Sequence, residues 1–281
     1  RFTMSDQLSR AVRNVFIKLY EEDAIYRGAR IVNWCPNDKT VLSDLEVHDL
    51  EKKDGKLYYL QYPIVDSDKK LTVATTRPET MLGDTAVAVN PNDERFKDLI
   101  GKEINLPLTD RKIPIIADEY VDVEFGTGAV KITPAHDPND YEMGKRHNLP
   151  ELNVMNLDGS MNEEAGEDFD GLDRYKARKL VIEKFEQLGL LEKIEDHEMV
   201  LPICERCKTV IETLISEQWW VRMDEMRELA LGLKNESDYP RFTPHNPHTK
   251  VYTNWLEGLQ DWTISRQLWW GHQIPAWYDE E

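Results

Sequence analysis

The sequence predicts an α+β fold, and three observations carry that expectation. Short runs rich in Val, Ile, Tyr and Thr recur at close spacing between residues 57 and 133, and many such strands in a short stretch point to a small barrel or curled sheet. Patterns with the helical period of apolar residues stand on both sides of that stretch. The 281 residues are 40% hydrophobic and 31% charged, a balance that fits a globular chain with its own core.

Taken in order, "TMSDQLSRAVRNVFIKLYEEDAIYRG" is a helix pattern, with Thr3 as cap and Asp6 three residues on. Val12, Phe16 and Leu19 form its apolar stripe and Gly28 is its stop. The chain opens on Arg1 without a methionine and enters this pattern at once, so a piece of a longer protein is expected. "KLYYLQYPIV" and "LTVATT" flank the turn "DSDKK" and predict a hairpin. "NPNDERFKDLIG" reads as a short helix starting at Pro91, and "IPIIAD" and "GAVKITP" as further strands. "GLDRYKARKLVIEKFEQLGLLEKI" is an amphipathic helix with Val181, Phe185 and Leu188 on one face, and its basic run from Arg174 to Lys179 reads as a solvated surface.

Two runs resist a purely structural account. "ATTRPETMLGDTAVAV" places a polar, hydroxyl-rich bend between two apolar strand segments, Leu71 to Ala74 and Ala86 to Val89. "EFGTGAVKITPAHDPNDYEMG" carries Gly126 and Gly128 ahead of a strand, then Asp137 as helix cap, Pro138 at the first helical position and Asp140 at the third. Capping is the plain reading of both aspartates, because caps are far commoner than catalytic carboxylates.

A formal net charge of -18 argues against general affinity for polyanions, so any nucleic-acid contact has to be local. No apolar run approaches the roughly 18 residues of a membrane span, and a cytoplasmic protein without membrane contact is expected. Three cysteines argue for reduced thiols or a metal. "ICERC" supplies Cys204 and Cys207 as a C-x-x-C knuckle and "NWCPND" supplies Cys35, which leaves a zinc site one ligand short unless Asp38 or His48 completes it. The tryptophans of the last segment, Trp262, Trp269, Trp270 and Trp277, read as core or as a flap of a larger domain rather than a stacking platform.

"TTRPETMLGDTAVAVNP" followed by "FGTGAVKITPAHDPNDYEMGKRH" resembles the editing domain of the class I aminoacyl-tRNA synthetases for valine, isoleucine and leucine, and the wording is nearest the valine type. "IVNWCPNDKTVLSDLEV", "NVMNLDGSMNEEAG", "LISEQWWVRM" and "NWLEGLQDWTISRQLWWGHQIPAWY" extend the likeness over essentially the whole chain. Neither the HIGH nor the KMSKS motif of the synthetic site occurs.

The resemblance implies a β-barrel-like editing domain over 55–196, set on a knuckle base formed by 29–54 and 197–222. Flanks of the catalytic domain would lie at 1–28 and 223–281. It implies hydrolysis of the threonyl ester on mischarged tRNA(Val), by a monomer, at the tRNA 3′ end. No cofactor is implied for editing, zinc is possible at the knuckle, and ATP with Mg belongs only to the longer enzyme.

By resemblance Asp140 takes the α-ammonium of the mischarged amino acid. Thr75, Thr76 and Arg77 line the pocket and hold the terminal adenosine, while Lys131, Thr133 and Asp137 face the substrate side chain. Phe125 packs on the adenosine. Thr80 and Glu79 are weaker candidates that turn formation also explains. His136 is the nearby histidine, either a base or structural, and the nucleophile expected is a positioned water assisted by a ribose hydroxyl. An isoleucyl-type editing domain and a non-catalytic tRNA-docking or zinc module remain the alternatives.

Overall fold

The computed structural model describes residues 2–124, 126–232 and 240–279. The chain divides into two compact units, one of residues 31–215 and one of residues 1–30 with 216–281. Two strands, β1 (Ile25–Cys35) and one spanning Glu212–Val221, carry the backbone from one unit into the other.

The larger unit is mixed α and β, as expected, and among the described residues none of its sheets closes into a barrel. Asn33 to Cys35 of β1 pair with β2 (Thr40–Leu42) as a tight hairpin. β3 (Val47–Lys52) forms a two-stranded ribbon with a distant strand, Met199–Cys204. The hairpin predicted around "DSDKK" is present: β4 (Lys56–Pro63) and β5 (Lys70–Thr75) pair antiparallel with Tyr58 opposite Thr75, and Asp66 takes the left-handed turn position at φ 54. A second sheet holds β6 (Ala86–Val89), β7 (Glu103–Asn105), β8 (Lys112–Ala117) and β9 (Ala129–Ile132) in the order β7-β8-β6-β9. β6 is buried along its whole length, which explains why its sequence, Ala-Val-Ala-Val, is apolar throughout instead of alternating.

Helix α1 (Asp6–Glu21) belongs to the smaller unit. In the larger one α2 (Pro138–His147) starts on the Asp137 cap and ends on Asn148 in the left-handed conformation. α3 (Arg174–Gln187) is capped by Asp173 and leads through Gly189 into β10 (Leu191–Asp196), which pairs with β4. The ribbon partner Met199–Cys204 is β11 and Glu212–Val221 is β12. Val181 and Phe185 of α3 are fully buried with Leu60, Tyr62, Val73 and Met81, whereas Leu188 is 57% exposed at the helix end and Leu190 takes the inward place.

Three sequence expectations change. The first helix does not run to Gly28; it ends at Glu21, Asp23 turns left-handed at φ 58, and Ile25 and Tyr26 begin a strand, as aromatic and β-branched residues favour. Its cap position is Ser5 in place of Thr3, and Val12 is exposed. The helix expected from Pro91 reduces to a single 3-10 turn at Lys97–Leu99, because the Asp93 carboxylate bonds the Arg95 N–H (3.0 Å) and guanidinium, a local alternative to helix bonds. The basic run of α3 is not wholly solvated: Arg174 is 4% exposed and both it and Arg178 turn inward.

In the smaller unit, β12 pairs with β13 (Trp262–Thr263), and α4 (Asp224–Gly232) packs with α5 (His245–Glu257). Asp261 accepts from Tyr26 (2.7 Å) and Arg30 (2.5 Å). Trp262, Trp269, Trp270 and Trp277 are exposed, so none of the four is a core side chain within this chain. Among the described residues no helix is long and apolar enough to cross a membrane.

Candidate functional site

The two polar runs, about 60 residues apart in sequence, meet in the larger unit. Thr75 ends β5 and is 91% buried, and its hydroxyl accepts from the Arg77 N–H at 3.0 Å, tightening the bend. Pro78–Gly83 then winds into a buried 3-10 helix, with the Thr80 hydroxyl donating to the Arg77 carbonyl at 2.9 Å. The Arg77 guanidinium reaches across to the second run and donates to the His136 carbonyl at 3.0 Å. That bond ties the threonine-rich bend to the loop between β9 and α2. Thr76 is half-buried beside it.

Behind the bend lies a buried polar cluster inside an otherwise apolar core. Asp84 is fully buried and is held by three donors: the Tyr62 hydroxyl (2.8 Å), the Lys131 ammonium (3.1 Å) and the Thr133 hydroxyl (2.6 Å). Lys131 also donates to the Thr133 hydroxyl. Burial raises the Asp84 carboxyl above its ordinary range, with the Lys131 charge opposing, and pushes the Tyr62 phenol well up. Such an ion pair is marginal as a source of stability, since desolvation offsets its attraction, but removing one partner strands the other.

Asp140 adjoins this cluster. Its carboxylate accepts the Thr133 backbone N–H at 2.9 Å, and among the described residues no other hydrogen-bond donor reaches it. Burial pushes its carboxyl up to about 7; Lys131 opposes that and Asp137 adds to it. Asp137 itself caps α2, accepting from the Asn139 and Asp140 N–H groups at 2.8 and 3.2 Å. The plain reading of Asp137 therefore holds, and Asp140 is more than a helix-start carboxylate because it turns back onto Thr133.

His136 is 1% exposed with both ring nitrogens engaged: Nε2 accepts from the Val154 N–H at 3.0 Å, so Nδ1 carries the proton toward the Thr213 carbonyl at 3.2 Å. Burial, reinforced by the Arg77 charge, drops its pKa to about 3. A neutral, doubly bonded imidazole positions the loop and has no free nitrogen for base catalysis. Phe125 lies outside the described residues.

A second layer of charge braces the bend, and its sequence signals are faint. Glu79 is fully buried and receives two 2.7 Å bonds from Arg178 of α3, with Arg77 3.8 Å away. Glu212 sits between Arg77 and Arg174, whose Nε is 3.2 Å off. Asp84 had a signal, a lone acid in the apolar run from Met81 to Val89. Glu212, Arg174 and Arg178 had none, because their partners come from elements over 30 residues distant.

At the far end of the β3–β11 ribbon, Cys35, Asp38, Cys204 and Cys207 present ligand atoms within 4.8 Å of one another. The Cys35 and Cys207 sulfurs are 3.4 Å apart, and the Cys204 thiol lies 3.5 Å from the Asp38 carboxylate. His48 instead stands 3.6 Å from Glu205. Three thiols and a carboxylate at this spacing suit tetrahedral zinc, with Asp38 as fourth ligand. Burial pushes the Cys35 thiol up to about 12.

The chain is similar to known proteins over its whole length. A family model described as tRNA synthetases class I (I, L, M and V) matches residues 1–281. The chain is 57% identical over 277 residues to a valine–tRNA ligase of Clostridium tetani, covering 99% of this chain and 31% of the relative. It is 56% identical over 281 residues to one of Carboxydothermus hydrogenoformans, covering 100% of this chain and 32% of that protein. The chain thus spans about three tenths of the length of the curated relatives it matches.

Proposed function

The chain belongs to the class I tRNA synthetases of the isoleucine, leucine, methionine and valine group, and on that premise we propose that it is the editing portion of a valine–tRNA ligase, hydrolysing the threonyl ester of mischarged tRNA(Val). The observation that carries the reading is the Arg77 bond to the His136 carbonyl, which joins the threonine-rich bend to a loop bearing Lys131, Thr133 and Asp140. A hydrophobic synthetic pocket separates valine from threonine by only about a hundredfold, the handicap for which this enzyme is the standard worked case. A second site built of hydroxyls and charges selects in the opposite sense, because valine leaves its polar groups unpaired.

In this proposal Asp140 receives the α-ammonium of the threonyl ester. Two features suit it to that role, since one carboxylate oxygen is held by the Thr133 N–H and burial leaves the charge in need of a cationic partner. Lys131 and Thr133, oriented by Asp84, face the threonine hydroxyl. Thr75, Thr76 and Arg77 hold the terminal adenosine, and the tRNA 3′ end is the partner. With His136 neutral and fully bonded, the attacking water is positioned by these polar groups and a ribose hydroxyl of the adenosine. Zinc at the cysteine cluster acts as a structural clip on the ribbon, and the chain works as a monomer in the cytoplasm.

Deacylation of threonyl-tRNA(Val), measured beside valyl-tRNA(Val) and valyl-tRNA(Ile), tests this reading. Preferential hydrolysis of the threonyl ester supports the proposal. Preferential hydrolysis of valyl-tRNA(Ile) would assign the isoleucyl type, and no hydrolysis of any ester would leave a docking module.

A further inference from the structure

Of the three donors that hold Asp84, the Tyr62 hydroxyl has no role in the reading above, and it meets the carboxylate differently from the other two. It donates to Oδ2 at 2.8 Å, whereas Lys131 and Thr133 both donate to Oδ1, at 3.1 and 2.6 Å. Tyr62 lies in β4 and is fully buried, with its ring centroid 6.3 Å from that of Phe185 in α3, so a substrate does not reach it. The backbone under the carboxylate is fixed as well, because the Arg111 guanidinium donates to the carbonyl of Asp84 at 2.9 Å and to that of Leu82.

An ionised carboxylate only accepts, so it sets the polarity of every bond in the cluster. Burial raises the Asp84 carboxyl, and Lys131, Thr133 and Tyr62 all act to keep it ionised. The Thr133 hydroxyl therefore directs its one proton to Oδ1, accepts from Lys131, and keeps a lone pair. Lys131 has three N–H groups: one goes to Oδ1, one to Thr133, and among the described residues the third meets no acceptor. The Lys131 side chain is 10% exposed, so that third N–H has lost most of its water and favours an acceptor that enters the site. Oδ2 decides whether it stays available. A buried carboxylate oxygen without a donor is costly, and the spare donor nearest to Oδ2 in this cluster is the third N–H of Lys131.

We propose that Tyr62 is a positioning residue that sets the selectivity of the site for a hydroxyl: by filling Oδ2 of Asp84 it leaves the third N–H of Lys131 for the side chain of the substrate. The proposal rests on the reading that Lys131 and Thr133 face the threonine hydroxyl. A hydroxyl accepts from Lys131 and donates to the open lone pair of Thr133, and the methyl group of valine does neither. Without the phenol, Lys131 closes onto both oxygens of Asp84 and withdraws its donor from the site. Asp140 keeps its bond to the Thr133 N–H in either case, so the grip on the α-ammonium, which every aminoacyl ester shares, is unaffected.

The test is single-turnover hydrolysis of threonyl-tRNA(Val) and of valyl-tRNA(Val) by the parent, by Tyr62→Phe, by Lys131→Met and by the double variant. Tyr62→Phe keeps the ring and its packing and removes only the hydroxyl. It should slow the threonyl ester at least about tenfold, the lower end for losing a hydrogen bond to a charged group, and leave the valyl ester at its parental rate, so the preference between the two esters falls by the same factor. Lys131→Met should lose that preference too, and adding Tyr62→Phe to it should cost nothing further, because the phenol acts through the ammonium. An unchanged preference in Tyr62→Phe overturns the proposal. So does an equal loss on both esters, the mark of a merely structural role, and so does a Tyr62→Phe protein that fails to fold, since Lys131 is then not replacing the missing donor. A parent with no preference for the threonyl ester refutes the editing reading and this proposal together, whereas a parent that prefers it beside a Tyr62→Phe variant that prefers it equally refutes the role of Tyr62 alone.

Discussion

Replacing Asp140 by asparagine tests stability and chemistry with one atom change. The amide oxygen can still accept the Thr133 N–H, so the loop contact at 2.9 Å survives. What disappears is a buried charge. The carboxyl ionises near 3.8 in an unfolded chain and at about 7 in the folded one, a difference of about 3 units, or roughly 4 kcal/mol against the ionised folded state. Between those values the unfolded chain has released a proton that the folded chain keeps, so parental stability falls as pH rises from about 4 to 7. Asp140→Asn removes that fall. Urea denaturation should show the variant more stable than the parent at pH 8, by up to roughly 4 kcal/mol, and nearly equal at pH 4. Single-turnover hydrolysis of threonyl-tRNA(Val) should move the other way. The amide cannot pair as a charge with the α-ammonium, and losing about 1.4 kcal/mol of transition-state binding already means a tenfold slower step. Parental hydrolysis should climb through pH 7 as the carboxylate forms, and the variant should lose that limb. An Asp140→Asn protein that hydrolyses at the parental rate would refute the role of the charge, and one less stable than the parent at pH 8 would refute the burial reasoning.

Three further outcomes are expected. Glu79→Gln strips Arg178 of a carboxylate bound by two 2.7 Å bonds and should cost about 3 kcal/mol in urea denaturation, at the lower end for breaking a buried pair because the Arg178 side chain keeps 24% exposure; adding Arg178→Met should recover part of that loss. His136, held neutral with its pKa near 3, withholds in the folded state a proton that the unfolded chain binds below its ordinary 6.5, so stability should drop as pH falls from 6.5 toward 3. The drop should be shallower in His136→Gln, read from urea midpoints along a pH series. Elemental analysis of protein purified without added metal should find one zinc per chain, lost in Cys204→Ser together with a lower melting temperature; metal-free parental protein would remove the clip.

What was legible from residues alone was whatever depends on near neighbours in the chain. The β4–β5 hairpin was readable because a polar turn separates two β-rich runs, and the start of α2 because Asp137, Pro138 and Asp140 occupy cap positions defined within four residues. The family resemblance in the two polar runs was readable for the same reason, as unbroken local wording. Local pattern misled where a neighbour's side chain competed with the backbone, as Asp93 does in dissolving the expected helix after Pro91. It also misled where a distant partner turned a residue inward: Arg174 and Arg178 look like a solvated face until Glu212 and Glu79 are brought beneath them. The same holds for His136, whose neutrality comes from burial and from bonds to Thr213 and Val154, and for Asp140, whose raised pKa belongs to its buried setting and not to its helix position. Charge state and hydrogen-bond partnership are set by desolvation and by contacts between remote segments, so the sequence by itself determined which chemical groups were present, and the tertiary structure decided which of them are charged, braced or free to meet a substrate.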